Sequence, residues 1–119
     1  MMKIFDIQQS VVAANGNVSL ARELFTMLLD DLDVRFEQIN SCYKNNDIDT
    51  LAEHTHKLYG ATAYCIVPKL RQSTEKLDTS LSDKNLSHLS AQVATVLLAI
   101  TELIKEGPEF LKKDWSDKI

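Results

Sequence analysis

A chain of 119 residues with 45% apolar and 25% charged residues has the make-up of one ordinary globular domain, which argues against disorder. Its longest unbroken apolar run, Val96 to Ile100, is far too short to cross a bilayer, and Met1 to Asp6 lack the apolar stretch of a secretory signal. A net charge of −4 and a pI near 5.3, with no basic cluster, exclude a nucleic-acid partner, because a phosphate backbone repels such a surface.

Glycine and proline number only three and two, so long stretches run without breakers and the apolar residues recur at helical spacing. The pattern predicts an all-α chain. Asp6 and Gln9 have capping-box spacing and start a short helix with Ile7, Val11 and Ala14 inward. Asn15-Gly16-Asn17 breaks it, and Asn17 caps a long second helix reaching about Asn45. The inward stripe read for that helix is Leu20, Leu24, Leu28, Leu32, Phe36, Ile39 and Tyr43.

A third helix begins near Ile48 and carries Leu51, Thr55, Leu58, Thr62 and Cys65 on one side. It is expected to run smoothly to Val67, where Pro68 pushes its predecessor away from helical angles. Pro68 suits the first turn of a fourth helix with Leu70, Thr74, Leu77 and Leu81 inward. After the polar joint Ser82 to Asn85, a fifth helix repeats Leu86, Leu89, Val93, Leu97, Ile100 and Ile104, and Gly107-Pro108 is expected to end it.

Amphipathic helices joined by short polar turns pack most simply as an antiparallel up-and-down four-helix bundle over 17–107. Residues 1–16 add the short N-terminal helix, and 108–119 form a tail in which Phe110, Leu111 and Trp115 either dock or belong to a linker. All of it makes one domain, expected to be monomeric because the stripes can be buried within one bundle. Cys42 and Cys65 lack metal or redox spacing and read as reduced core residues.

The sequence has no glycine-rich phosphate loop, no nucleophile elbow and no zinc-binding helix, so a kinase in its own right is not expected. The chemistry concentrates in Glu53-His54-Thr55-His56-Lys57-Leu58-Tyr59-Gly60-Ala61, in the middle of the third helix. At about 100° per residue, His56 falls about 120° from the middle of the apolar stripe and faces solvent. Gly60 follows one turn later and Ala63 two turns later, along nearly the same line. A glycine inside a helix costs roughly 1 kcal/mol against alanine. Beside an exposed histidine it leaves a clear approach for another protein's surface.

A neutral imidazole, with an ordinary pKa of about 6.5, can attack a phosphoryl group without a separate base. Lys57, about 100° round the helix, is the candidate cation for the phosphoryl oxygens. His54 is nearer the bundle seam and lacks a glycine one turn on, so it reads as a structural hydrogen-bonding residue. His54 and His56 point about 200° apart and cannot share a metal ion, so no metal site is expected. His88 reads as a surface residue. Two rivals to a phosphate carrier are a helical docking or adaptor module using the same face and, with less support, a small metal-dependent enzyme.

His56-Lys57-Leu58-Tyr59-Gly60 resembles the phosphoacceptor motif of histidine-containing phosphotransfer (HPt) domains. Tyr64 and Val67-Pro68-Lys69-Leu70 are similar to the subset at the C-terminus of tripartite hybrid sensor kinases of the BarA/GacS type. The resemblance covers the chain to about Glu106. It implies a phosphorelay carrier that takes a phosphoryl group on His56 from one receiver-domain aspartate and passes it to a second. Glu53, Lys57, Tyr59, Gly60, Ala63 and Tyr64 would form the docking patch for response-regulator receivers. It implies no cofactor on this chain, Mg being expected on the receiver. The setting would be cytoplasmic, or the cytoplasmic end of a membrane-bound hybrid kinase, without direct membrane contact. Two departures stand out: the family usually has lysine where this chain has Tyr59, and often glycine at Ala63 and Ile66. The first leaves Lys57 as the expected cation, and the second suggests the unbroken third helix.

Overall fold

The computed structural model describes residues 2–116, so Met1 and 117–119, the end of the predicted tail, lie outside the described residues. Five helices follow in order: α1 (Ile7–Ala13), α2 (Val18–Lys44), α3 (Ile48–Ala61), α4 (Pro68–Ser82) and α5 (Leu89–Leu111). Side-chain caps fix three of the starts. Asp6 accepts from the Gln9 amide, Asn17 from Leu20 and Asp47 from Thr50, each occupying an amide that the first helical turn leaves free. Asn15, Gly16 and Asn46 take positive φ at the joints, a conformation that asparagine and glycine tolerate best. Pro68 sits in the first turn of α4, where its missing N–H costs nothing.

The four longer helices contact one another in a ring, α2 to α3 to α4 to α5 and back to α2. With short connections this is the antiparallel up-and-down bundle. It is a rod of 45 × 24 × 23 Å, its length set by α2. Phe25, Leu32, Ile39, Leu51, Leu58, Leu77 and Ile100 are fully buried along its axis. No helix among the described residues is long and apolar enough to cross a membrane.

Four expectations need correction. Leu20 is exposed; the inward residues at the start of α2 are Ala21 and Phe25. At Phe25 the helix meets an aromatic cluster. Phe5 stacks on Phe25 at 3.8 Å between centroids and touches Phe110 and Trp115 at 5.3 and 5.4 Å.

The third helix stops at Ala61 and does not run to Val67. The Thr62 hydroxyl donates to the Tyr59 carbonyl at 2.6 Å, and successive amides tighten into i−3 bonds. Beyond that, partners from the N-terminal segment take over. The Ile66 amide donates to the Ser10 hydroxyl at 3.0 Å, and the Asp6 amide donates to the Ile66 carbonyl at 2.9 Å.

The fifth helix starts at Leu89, leaving Leu86 exposed, because the Asn85 side chain accepts from Ser87 and makes a local turn. At its other end the helix runs through Gly107-Pro108 to Leu111. Gly107 is there for closeness and not for termination: a Cβ would lie 2.5 Å from a Leu29 methyl. The Arg22 guanidinium then donates to the carbonyls of Leu111 and Lys113, satisfying acceptors that the helix end leaves free. The tail docks. Trp115 is buried under Arg22, whose guanidinium carbon lies 5.0 Å from the ring centroid, and its indole N–H donates to the Phe110 carbonyl at 2.7 Å.

Candidate functional site

The apolar face read for α3 is buried throughout: Leu51, Thr55, Leu58, Thr62 and Cys65 all lie inside. That burial fixes the helix's rotation, and rotation fixes where the remaining side chains emerge. The His56 side chain is 75% exposed. Gly60 and Ala63 are exposed beyond it, and a Cβ on Gly60 would meet nothing within 4 Å. The domain's own packing therefore does not require that glycine. Glu53 and Lys57 are exposed, and Lys57 makes no hydrogen bond or ion pair among the described residues.

The His56 imidazole is not loose. Its Nδ1 lies 3.2 and 3.3 Å from the two carboxylate oxygens of Asp78 on α4. A carboxylate can only accept, so this contact assigns the proton to Nδ1 and leaves the lone pair of the neutral ring to Nε2. Asp78 is mostly covered, its side chain 23% exposed, which holds it in place. The arrangement is an exposed imidazole held by a carboxylate, the same contact that orients a histidine in catalytic triads.

Tyr59, one turn along, leans toward α4 as well. Its hydroxyl donates to Glu75 at 2.9 Å and accepts from Arg71 at 3.3 Å. The Arg71 guanidinium also sits over the Tyr59 ring, 4.8 Å from its centroid, and donates to the Thr62 hydroxyl at 3.0 Å. The hydrogen bond to Glu75, more than partial burial, holds the Tyr59 phenol above its ordinary pKa. It stays a donor at neutral pH. The position where the family usually has lysine is thus a tyrosine engaged with an arginine from the neighbouring helix.

On the opposite flank of α3, Ala61, Tyr64 and Cys65 line a shallow apolar groove with Leu24, Met27 and Leu28 of α2, rimmed by Asp30 and Asp31. Tyr64 and Met27 are strongly exposed there, at 66% and 60%. Lys57 stands one turn before Ala61 on the same line.

The expectation that His54 makes a structural hydrogen bond does not hold at Nδ1, which is buried without a partner. His88 is exposed just before α5. Cys65 is in the core, and burial pushes its thiol up to about 11, so it stays protonated; Cys42 is half-buried, and both are free thiols. Among the described residues no group of three or more His, Cys, Asp or Glu is arranged to hold a metal ion.

Sequence reasoning missed Asp78, Glu75 and Arg71. Their signal was available in part: they recur at i, i+4 and i+7 along one edge of α4, next to its buried Thr74, Leu77 and Leu81. Which α3 residues they would meet depends on the register between two helices, and that is not written in either helix alone.

An exposed imidazole, oriented by a carboxylate on a rigid bundle and flanked by small residues, defines a helical histidine module suited to reaction with a large partner. Residues 23–106 match the Hpt domain family, and this chain belongs to it. The chain is 34% identical over 104 residues to the sensor protein GacS of Pseudomonas syringae pv. syringae, covering 87% of this chain and 11% of that protein. It is 33% identical over 90 residues to the sensor histidine kinase GacS of Pseudomonas protegens, covering 76% of this chain and 10% of that one. The match thus spans about a tenth of the length of these relatives. The HPT domain of a hybrid histidine kinase from Shewanella superposes with a TM-score of 0.86 at 26% identity, covering 92% of this chain and 94% of that one. Membership implies histidine phosphotransfer within two-component phosphorelay signalling.

Proposed function

We propose that His56 is the phosphoacceptor, taking a phosphoryl group from the aspartate of one response-regulator receiver and delivering it to the aspartate of a second. The observation that carries this reading is the exposed His56 side chain with its Nδ1 engaged by Asp78, which leaves Nε2 as the nitrogen for attack. In the forward step the P–O bond of the aspartyl phosphate breaks as an N–P bond forms at Nε2. No proton has to leave: the proton on Nδ1 stays, the ring becomes cationic, and the Asp78 carboxylate faces that new charge. The return step reverses the bonds and restores the neutral ring. The metal that phosphoryl transfer needs belongs to the receiver, and this chain contributes the nucleophile, Lys57 as a cation beside it, and a surface.

Replacing Asp78 by Ala should slow transfer about tenfold, the worth of one charge-assisted hydrogen bond at a partly open site. Time-resolved label transfer from a charged receiver measures it; an unchanged rate constant would remove Asp78 from the mechanism.

The receiver is expected to seat over Gly60 and Ala63 and to lay an apolar edge into the groove between Met27 and Tyr64, with Glu53 and Lys57 on the rim. The contact should be modest in area, since a carrier must release each partner. Tyr59 is the member of the expected patch that is least available, its hydroxyl and ring being held by Glu75 and Arg71.

Gly60 gives a test that separates function from stability. Gly60→Ala should raise stability by roughly 0.5–1 kcal/mol, since the new methyl clashes with nothing in the domain. The same change should slow transfer by narrowing the approach to Nε2. Thermal melts beside transfer rates measure both; a variant that is more stable and transfers at the wild-type rate would show that the glycine serves no partner.

A further inference from the structure

A phosphoryl group on His56 would arrive beside negative charge. Asp78 is in contact with the ring, and Glu75 lies one turn along α4, bonded to Tyr59. A phosphoryl group adds charge approaching −2 at neutral pH. Cations approach from two sides: Lys57 on the α2 flank of α3, and on α4 Arg71, bonded to Tyr59, with Lys76, which lines a pocket with Tyr59, Glu75 and Asp78.

Arg71 is held in an unusual way for an arginine near two carboxylates. Its three partners are the Tyr59 ring, the Tyr59 hydroxyl and the Thr62 hydroxyl, all neutral. It makes no ion pair among the described residues, so its charge is uncommitted. The side chain is exposed, so nothing buried has to move for it to turn. The α4 ladder places it. Asp78 meets His56 and Glu75 meets Tyr59, while Arg71 stands two turns before Asp78 and reaches the hydroxyl of Tyr59, the α3 residue one turn from His56. A guanidinium presents a fork of donors suited to phosphoryl oxygens.

We propose that Arg71, guided by the ring and hydroxyl of Tyr59, is a second anion-binding residue of this domain, which turns from Thr62 to the phosphoryl group once His56 is charged. The proposal rests on His56 as phosphoacceptor and adds the regulation of how long and how favourably the charge is held. Tyr59 acts through Arg71 as a positioning residue: its face carries the guanidinium, and its hydroxyl, saturated by Glu75, keeps Arg71 from pairing with that carboxylate. The bracket itself is neutral, so the guanidinium can leave it without breaking an ion pair.

The test uses the full chain charged by phosphoramidate, a small phosphoryl donor that needs no receiver. In the wild type, the Arg71 Nε–H signal in an amide correlation spectrum should shift when phosphate appears on His56. Arg71→Gln should then shorten the phosphohistidine half-life, and lower the charged fraction at equilibrium with a receiver, by about three- to tenfold. Arg71→Lys should restore part of both, and the thermal midpoint should barely move, since Arg71 is exposed. Charging of His56 with the Arg71 signal unmoved, or with Arg71→Gln indistinguishable from wild type, overturns the proposal and leaves the carrier reading standing. No phosphate on His56 from either phosphoramidate or charged receivers overturns both.

Discussion

His56→Gln is expected to abolish phosphoryl acceptance, by at least three orders of magnitude, while the helical content and thermal midpoint stay close to wild type. Both halves follow from position. The side chain is 75% exposed and its hydrogen bonding among the described residues is to Asp78, so its removal takes little from the core. Glutamine has no lone pair able to form an N–P bond of comparable stability, and no neighbour can take over. His54 sits about 200° round the helix with its Nδ1 buried. Circular dichroism and label transfer, run on the same preparation, measure the two halves together. Unfolding of the variant would make His56 a structural residue, and full retention of transfer would move the acceptor elsewhere.

Trp115→Ala is expected to have the largest effect on stability, about 3–5 kcal/mol. Trp115 is among the largest fully buried side chains, packs against the rings of Phe5 and Phe25, and carries Arg22 on its face. Its loss would leave a cavity at the end of the bundle and would release the indole bond to the Phe110 carbonyl. Since a domain of this size is typically stable by 5–15 kcal/mol, the midpoint should fall by more than about 10 °C. Phosphate acceptance per folded molecule should persist, because the aromatic cluster shares no residue with the His56 ladder. Trp115→Phe keeps most of the packing and should cost considerably less. A melt of the alanine variant within a degree or two of wild type would mean that the tail does not close the core.

The two clusters show what the sequence could and could not reveal. The inner faces of α3 and α4 were legible because each is a single stripe at i, i+3, i+4 and i+7, and all nine residues read inward there are buried. Leu20 misled because the buried arc at the start of α2 runs through Ala21 and Phe25, and Phe25 meets rings of the N-terminal segment and the tail. The end of α3 was hidden for a related reason. Thr62 and Cys65 keep the helical stripe going, but the backbone around Ile66 is claimed by Asp6 and Ser10, far away in the chain. Gly107-Pro108 looked like a terminator, yet the glycine serves close packing on Leu29 and Pro108 removes only one donor from a helix otherwise well held.

For the site, His56 and Gly60 could be found from one helix, since exposure and small neighbours are properties of a single helical wheel. Asp78, Glu75 and Arg71 could not, because their meaning lies in which α3 residue each one meets. A charged residue on the edge of α4 is ordinary until the register of the bundle sets it against an imidazole.

The most direct test of the account is the site and chemistry of the phosphate itself. The wild-type chain is mixed with a panel of receivers shown to be charged, and the product is mapped by mass spectrometry with acid and base treatment. An acid-labile, base-stable phosphate on His56 is the result expected. Phosphate on His54, or none on the chain while the charged receivers pass phosphate to another histidine carrier, would contradict it.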